Sequence, residues 1–300
     1  MRVHYLKCGT DCPLGGALFD GFSKGMFGLI PCAVQLVETN EGLVLIDTGY
    51  GTEDVRHPHP RLSKFFRLML NIQFDMRETA KSQIKALGYS PSDVRHIVLT
   101  HLDFDHAGGI EDFPQARVHV MAAEREAAEK RRRGFIAKRR YRPQQWDDVR
   151  DWRTYGAGDG EHWLGFDGVR QLDGLPPEIL MIPMPGHTWG HAGIAIDSDL
   201  GWVLNAGDAY FYRRELDRDK RRCTPGLRLY QTMMEVDRSQ RLCNQHRLRA
   251  LKHDDLAHVT IFCSHDAIEL ERMQRPAGTP QNAAIVPARS RTPSAAPVPA

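Results

Sequence analysis

The stretch THLDFDHAGG, residues 100–109, directly follows the apolar run HIVL, residues 96–99, and sets His101, Asp103, Asp105 and His106 within six positions. A short buried strand ending here holds its loop against a rigid sheet, which is where α/β folds carry their chemistry. In an extended segment, side chains at i and i+2 share a face. His101 and Asp103 therefore converge on one point, while Asp105 and His106 turn toward a second. The AGG that follows lets backbone approach closely and opens a helix. Imidazole and carboxylate donors suit zinc, iron or manganese, and a loop without cysteine argues against a thiolate structural site.

Working outward, the chain reads as α/β from about residue 30. CAVQLVET (32–39) and GLVLIDTG (42–49) flank the turn signal NEG and predict a β-hairpin ending at Asp47. The spacing of Ala80, Ile84 and Leu87, with Gly88 as a stop, predicts a helix, and SPSD (90–93) opens the next element. ARVHVMAAEREAAE (116–129) predicts a strand running into a helix. EILMIPMPGH (178–187), AGIAIDS (192–198), GWVLNAGDAYF (201–211) and VTIFCSHD (259–266) supply further strands. Four of these runs end on an ionisable residue: Asp47, His187, Asp208 and His265.

Five motifs in this order resemble the metallo-β-lactamase superfamily, whose signature is D-T-G after an early strand, then T-H-x-H-x-D-H, G-H, G-D and a late histidine. The resemblance covers about residues 30–270 and implies an αββα four-layer sandwich over residues 1–272. It also implies a dinuclear metal hydrolase in which a hydroxide held between two ions opens an ester or lactone. Carried over position by position, His101, Asp103 and His187 hold the first ion, Asp105, His106 and His265 the second, and Asp208 bridges both. The ions are two divalent metals, zinc first, with iron or manganese as alternatives. Asp47 becomes a hydrogen-bonding partner of a ligand, and His191 a packing residue of the loop.

The departure from the signature is Asp103, where the family has histidine. Two divalent ions, three aspartates and a bridging hydroxide bring the centre to about zero charge instead of the usual single positive charge. A less positive centre acidifies its water less strongly. Asp105 and Asp208 are the expected proton carriers. Lactonase-like members carry a tyrosine three residues after the bridging aspartate; here Phe211 stands there, so Tyr210 is the expected phenol at the substrate carbonyl. An N-acyl-homoserine-lactonase-like hydrolase of a small molecule is the leading reading. A glyoxalase-II-like thioesterase and a phosphodiesterase or nuclease are the alternatives, and a non-catalytic metal-binding protein is the last.

Bulk properties agree with a folded enzyme. The 300 residues are 41% hydrophobic with a formal charge of +2, so no global field points to nucleic acid or an anionic membrane. No window approaches eighteen apolar residues and no signal-peptide pattern opens the chain, which predicts a cytoplasmic protein. The six cysteines are scattered and form no C-x-x-C pair. Three segments stand apart. Residues 124–170, with Trp146, Trp152 and Trp163, are longer than a plain connection and predict a lid over the pocket with an apolar wall. Residues 130–142 hold eight basic side chains and no acid, read as a solvated face or an anion patch. The Pro/Ala-rich segment 273–300 cannot bury a core and is expected to be disordered.

Overall fold

Side-chain alternation along the apolar runs decides the layering. In the strand Ile30–Thr39, Val34 and Leu36 enter one core while Val37 enters another, so both faces of the strand are covered. The computed structural model describes residues 1–130, 134–158 and 160–275. In chain order the strands are β1 (Val3–Asp11), β2 (Ile30–Thr39), β3 (Gly42–Ile46), β4 (Ile72–Gln73), β5 (Val94–Val98), β6 (Arg117–Met121) and β7 (Trp152–Tyr155). They are followed by β8 (Glu161–Trp163), β9 (Phe166–Gln171), β10 (Ile179–Pro183), β11 (Ala192–Ser198), β12 (Gly201–Asn205) and β13 (Thr260–Phe262).

The first sheet has the order β4-β1-β2-β3-β5-β6-β7 and the second β13-β12-β11-β10-β9-β8. The hairpin β2–β3 pairs antiparallel from Gln35 against Ile46 to Thr39 against Gly42, as the NEG turn predicts. From β3 onward the first sheet is parallel through β5, β6 and β7. Val37, Val44, Ile46 and Val98 of the first sheet meet Ile179, Met181, Ile194 and Ile196 of the second. On the outer face of the first sheet, Leu36, Leu45, Ile97 and Val120 pack on Ile84, Ala127 and Ala128 of helices. On the outer face of the second, Leu180, Ile182 and Leu204 pack on Leu248 and Leu251. This is the expected helix–sheet–sheet–helix sandwich.

Three sequence expectations are corrected. Strand β1 lies ahead of the segment read as α/β; it pairs with β2 from Val3 against Val37 onward, and its interspersed His4 and Lys7 hide it from an apolar-run search. The segment 124–170 does not form a tryptophan wall. It supplies β7 to one sheet and β8 and β9 to the other, Trp146 is buried in the helix-side core, Trp152 packs at that core's margin, and Trp163 packs edge-on against Trp202 at 5.2 Å. The helix Ala267–Gln274 runs two residues past the expected end of the domain, while residues 276–300 of the tail lie outside the described residues.

Candidate metal centre

The candidate ligands cluster at one rim of the sandwich, His101 and Asp103 in the loop after β5, Asp105 and His106 on the short helix Phe104–Ala107 that follows it, and His187, Asp208 and His265 in the loops after β10, β12 and β13. Asp47 follows β3 and adopts a left-handed φ of 57°, which turns its carboxylate back onto the loop after β5. Its Oδ1 accepts the Thr100 N–H at 2.8 Å, and its Oδ2 accepts the Thr100 hydroxyl at 2.8 Å and lies 2.9 Å from His106 Nδ1. The Thr100 hydroxyl in turn lies 2.9 Å from His101 Nδ1. His265 Nδ1 is 2.8 Å from the Pro31 carbonyl. With each Nδ1 committed to an oxygen, His101, His106 and His265 present Nε2 to the centre, which is how metal-binding imidazoles are held.

The donor atoms fall into two groups. In the first, Asp103 Oδ2 lies 3.4 Å from His101 Nε2 and 3.0 Å from His187 Nε2, and Asp208 Oδ2 lies 3.7 and 3.3 Å from the same two nitrogens. In the second, Asp105 Oδ2 lies 3.9 Å from His106 Nε2 and 3.6 Å from His265 Nε2, and Asp208 Oδ1 lies 3.4 and 3.2 Å from them. Donors at about 2.0–2.2 Å from a tetrahedral ion stand about 3.3–3.6 Å apart, a span that the spacings of 3.0–3.7 Å in the first group and 3.2–3.9 Å in the second bracket. His101 Nε2 and Asp208 Oδ1 are buried without a hydrogen-bond partner, as atoms reserved for an ion are. The residues therefore fit a pair of ions sharing Asp208.

Charge is held in place by opposing effects. Burial works against ionised Asp208, yet His265, His106, His187 and His101 around it hold its carboxyl well below the usual range. Burial pushes Asp105 up. Burial disfavours a charged His265, but Asp208 and Asp105 outweigh it and raise its pKa to about 9.

All seven expected ligands thus converge, with Asp105 and Asp208 among them. Tyr210 does not: its hydroxyl donates to Glu269 Oε2 at 2.8 Å inside the core of the second sheet, which corrects its expected place at the substrate. Phe211 faces the centre instead, stacked on His265 at 5.1 Å and 5.6 Å from His187. His191 is neutral, since burial lowers its pKa to about 3; Nδ1–H donates to the Met184 carbonyl and Nε2 accepts the Asp208 N–H at 2.8 Å. It positions Asp208, and Gly207 must be glycine because a Cβ there would run into that imidazole.

The sequence reading missed several residues. Glu124 is buried and ties two ligand loops together, accepting the Leu102 N–H with Oε1 and the Gly190 N–H with Oε2, each at 3.0 Å. Cys32 lies with Asp105 and His265 beside the second group. Burial, then Asp11, Asp105 and Asp208, push its thiol well up, which keeps it neutral. Arg140, from the basic run, is buried with its guanidinium on Asp103: Nε to Oδ1 and Nη2 to Oδ2, both 2.6 Å. The odd aspartate beside eight basic residues was the signal that could have found it. Of that run, Arg142 also turns inward onto the Arg61 and Pro60 carbonyls, and Arg131–Arg133 lie outside the described residues.

The sequence profile of the metallo-beta-lactamase superfamily matches residues 28–241. The chain is 42% identical to a probable metallo-hydrolase of Mycobacterium tuberculosis over 89% of its own length and 80% of that protein. It is 26% identical to an N-acyl homoserine lactonase of Bacillus thuringiensis over 72% of this chain and 78% of the relative. Among solved structures, an N-acyl homoserine lactone hydrolase with N-hexanoyl-L-homoserine at its catalytic metal centre superposes with a TM-score of 0.66. That match has 22% identity and covers 91% of this chain and 96% of the other. The chain belongs to the metallo-β-lactamase superfamily, and it is a metallo-hydrolase of that fold. Among the described residues no helix is long and apolar enough to cross a membrane.

Proposed function

We propose that the protein hydrolyses an ester or lactone of a small acylated molecule, in the manner of the N-acyl homoserine lactonases, with two divalent ions, zinc first, held by His101, Asp103, His187, Asp105, His106, His265 and the shared Asp208. The observation that carries this reading is the pair of four-donor groups joined through Asp208, the second of which borders a small, mostly apolar cavity through Asp105 and His265. Bound ions supply Lewis acidity, which polarises a carbonyl and makes water a nucleophile at neutral pH.

The remaining work falls to the chain itself. The cavity is lined by the polar side chains Asp11, Asp105 and His265 and by Phe19, Ile30, Leu70, Leu227, Tyr230 and Phe211. As it stands the cavity holds about 10 Å³, room for a single water, so an acyl chain enters only as these apolar walls part, with the polar side chains holding the reacting carbonyl. Asp105, one of these polar side chains, with its carboxyl raised by burial, is suited to take up and return a proton. Tyr230 packs on Phe211 at 5.6 Å. Burial, then the surrounding carboxylates Asp105, Asp103, Asp11 and Asp208, push its phenol well up, so it stays protonated and serves as a hydrogen-bond donor in the cavity. It takes the role first expected of Tyr210.

The experiment is a hydrolysis panel of N-acyl homoserine lactones, aryl esters, thioesters and phosphodiesters, with zinc, manganese or iron supplied to stripped protein. Lactone or ester turnover above the others, lost on stripping and restored by metal, is the expected result. Preferred turnover of thioesters or phosphodiesters would replace the substrate assignment.

A further inference from the structure

Arg140 is the largest fully buried side chain among the described residues, and nothing in the fold requires an arginine in a core. A buried guanidinium is tolerated only where charge and hydrogen bonds are both met. Here they are. Nε and Nη2 fork onto the two oxygens of Asp103 at 2.6 Å each, Nη1 donates to the Met234 carbonyl at 2.6 Å and the His187 carbonyl at 3.3 Å, and Nη2 lies 2.9 Å from His187 Nε2. The guanidinium thus joins the loop after β5, the loop after β10 and the C-terminal end of the helix Pro225–Met234. His101 Nε2 keeps no hydrogen-bond partner, whereas Nη2 stands against two donors of the first group, Asp103 Oδ2 and His187 Nε2, so an ion bound there takes the His187 Nε2 lone pair from Arg140 and leaves the fork on Asp103 in place.

We propose that Asp103 and Arg140 act as one unit in place of the histidine usual at this position, with Arg140 as the residue that positions and neutralises a carboxylate ligand. An aspartate paired with a guanidinium is, like a neutral imidazole, a donor of no net charge. The single positive charge that Asp103 alone removes from the centre is thereby restored. The fork also fixes the carboxylate plane, leaving Oδ2 3.4 Å from His101 Nε2 and 3.0 Å from His187 Nε2, the edge lengths of the first group. A bidentate partner does this where a lysine cannot. The inference rests on the two-ion reading of the site and predicts that Asp103 and Arg140 can be exchanged for a histidine only together.

The test compares wild type, Asp103→His, Arg140→Met and the double variant, each checked for folding by circular dichroism. Each is stripped and reloaded with zinc, with stoichiometry from elemental analysis and affinity from chelator competition. Wild type should take up two ions. Either single variant should bind one of them about 10–100-fold more weakly, and the double variant should recover most of that loss, to within about threefold of wild type. If one single variant fails to fold, the other and the double variant still decide the matter. Two ions in wild type with an undiminished affinity in a single variant, or losses that merely add in the double, would overturn the unit and leave the two-ion site standing. A wild type that binds one ion would overturn both, because Arg140 would then stand in for the first metal.

Discussion

Three neighbouring positions, Asp208, Tyr210 and Phe211, show how one residue of phase decides a role. Asp208 is held by the His191 imidazole toward the centre, Tyr210 turns its hydroxyl into the core onto Glu269, and Phe211 turns back to stack on His265. The tyrosine that lines the cavity with Asp105 and His265 is Tyr230, nineteen positions beyond Phe211 and on a different element. Two substitutions separate these roles. Tyr230→Phe should lower kcat by about tenfold or more while two ions remain bound, since it removes a donor facing the reacting carbonyl. Tyr210→Phe should leave kcat unchanged and lower stability by about 1 kcal/mol, read from urea unfolding, since it removes one buried hydrogen bond. The opposite pattern would return Tyr210 to the site. The seven donors themselves were legible because each stands in or beside a loop entered from an apolar run, whereas the direction of an aromatic on an irregular turn is set by what packs around it.

At the scale of elements, the helix Ala267–Gln274 follows β13 and bridges the two sheets, Leu270 packing with Ala33 of β2, Val203 of β12 and Phe262 of β13. Asp266 caps it, accepting the N–H groups of Ile268 and Glu269 at 3.0 and 3.2 Å. Glu269 reaches back to the Tyr210 hydroxyl and the Cys263 N–H. Burial, then the adjacent Asp266, raise its carboxyl to about 7. A raised carboxyl binds its proton more tightly in the folded chain than in the unfolded one. Its contribution to stability is therefore full below the ordinary glutamate range and is lost as pH rises through about 7. Wild type should lose more stability between about pH 5 and about pH 8 than Glu269→Gln, measured by urea midpoints at the two values. Equal losses would mean that Glu269 ionises freely in the fold. Elements with clean apolar periodicity, the hairpin and the strands β10 to β12, were readable in advance. Strand β1 and the segment 124–170 were not, because their polar residues are matched by partners far away in sequence.

Across the whole molecule, the centre sits where the two sheets meet. Asp47, His101, Asp103, Asp105 and His106 come from the first sheet's rim, and His187, Asp208 and His265 from the second's. Ions bound there would tie the two halves together, and any ligand that binds only the folded chain stabilises it. Stripping with a chelator should abolish hydrolysis and lower Tm, and zinc should restore both. A Tm indifferent to metal would mean that the donors do not hold ions in the folded state.

By itself the sequence determined the layered α/β architecture and named seven candidate donors that the fold brings together, because burial on both faces of a sheet and the chemistry of histidine and aspartate leave marks at fixed local spacings. Only the tertiary structure decided what stands behind those donors. Arg140 is thirty-seven positions from Asp103, within a run that reads as solvated, and Glu124 and His191 lie 22 and 17 positions from the Leu102 and Asp208 N–H groups they accept. Whether a charged side chain faces water or a buried counter-charge depends on which loops the two sheets bring together, and no local pattern carries that information.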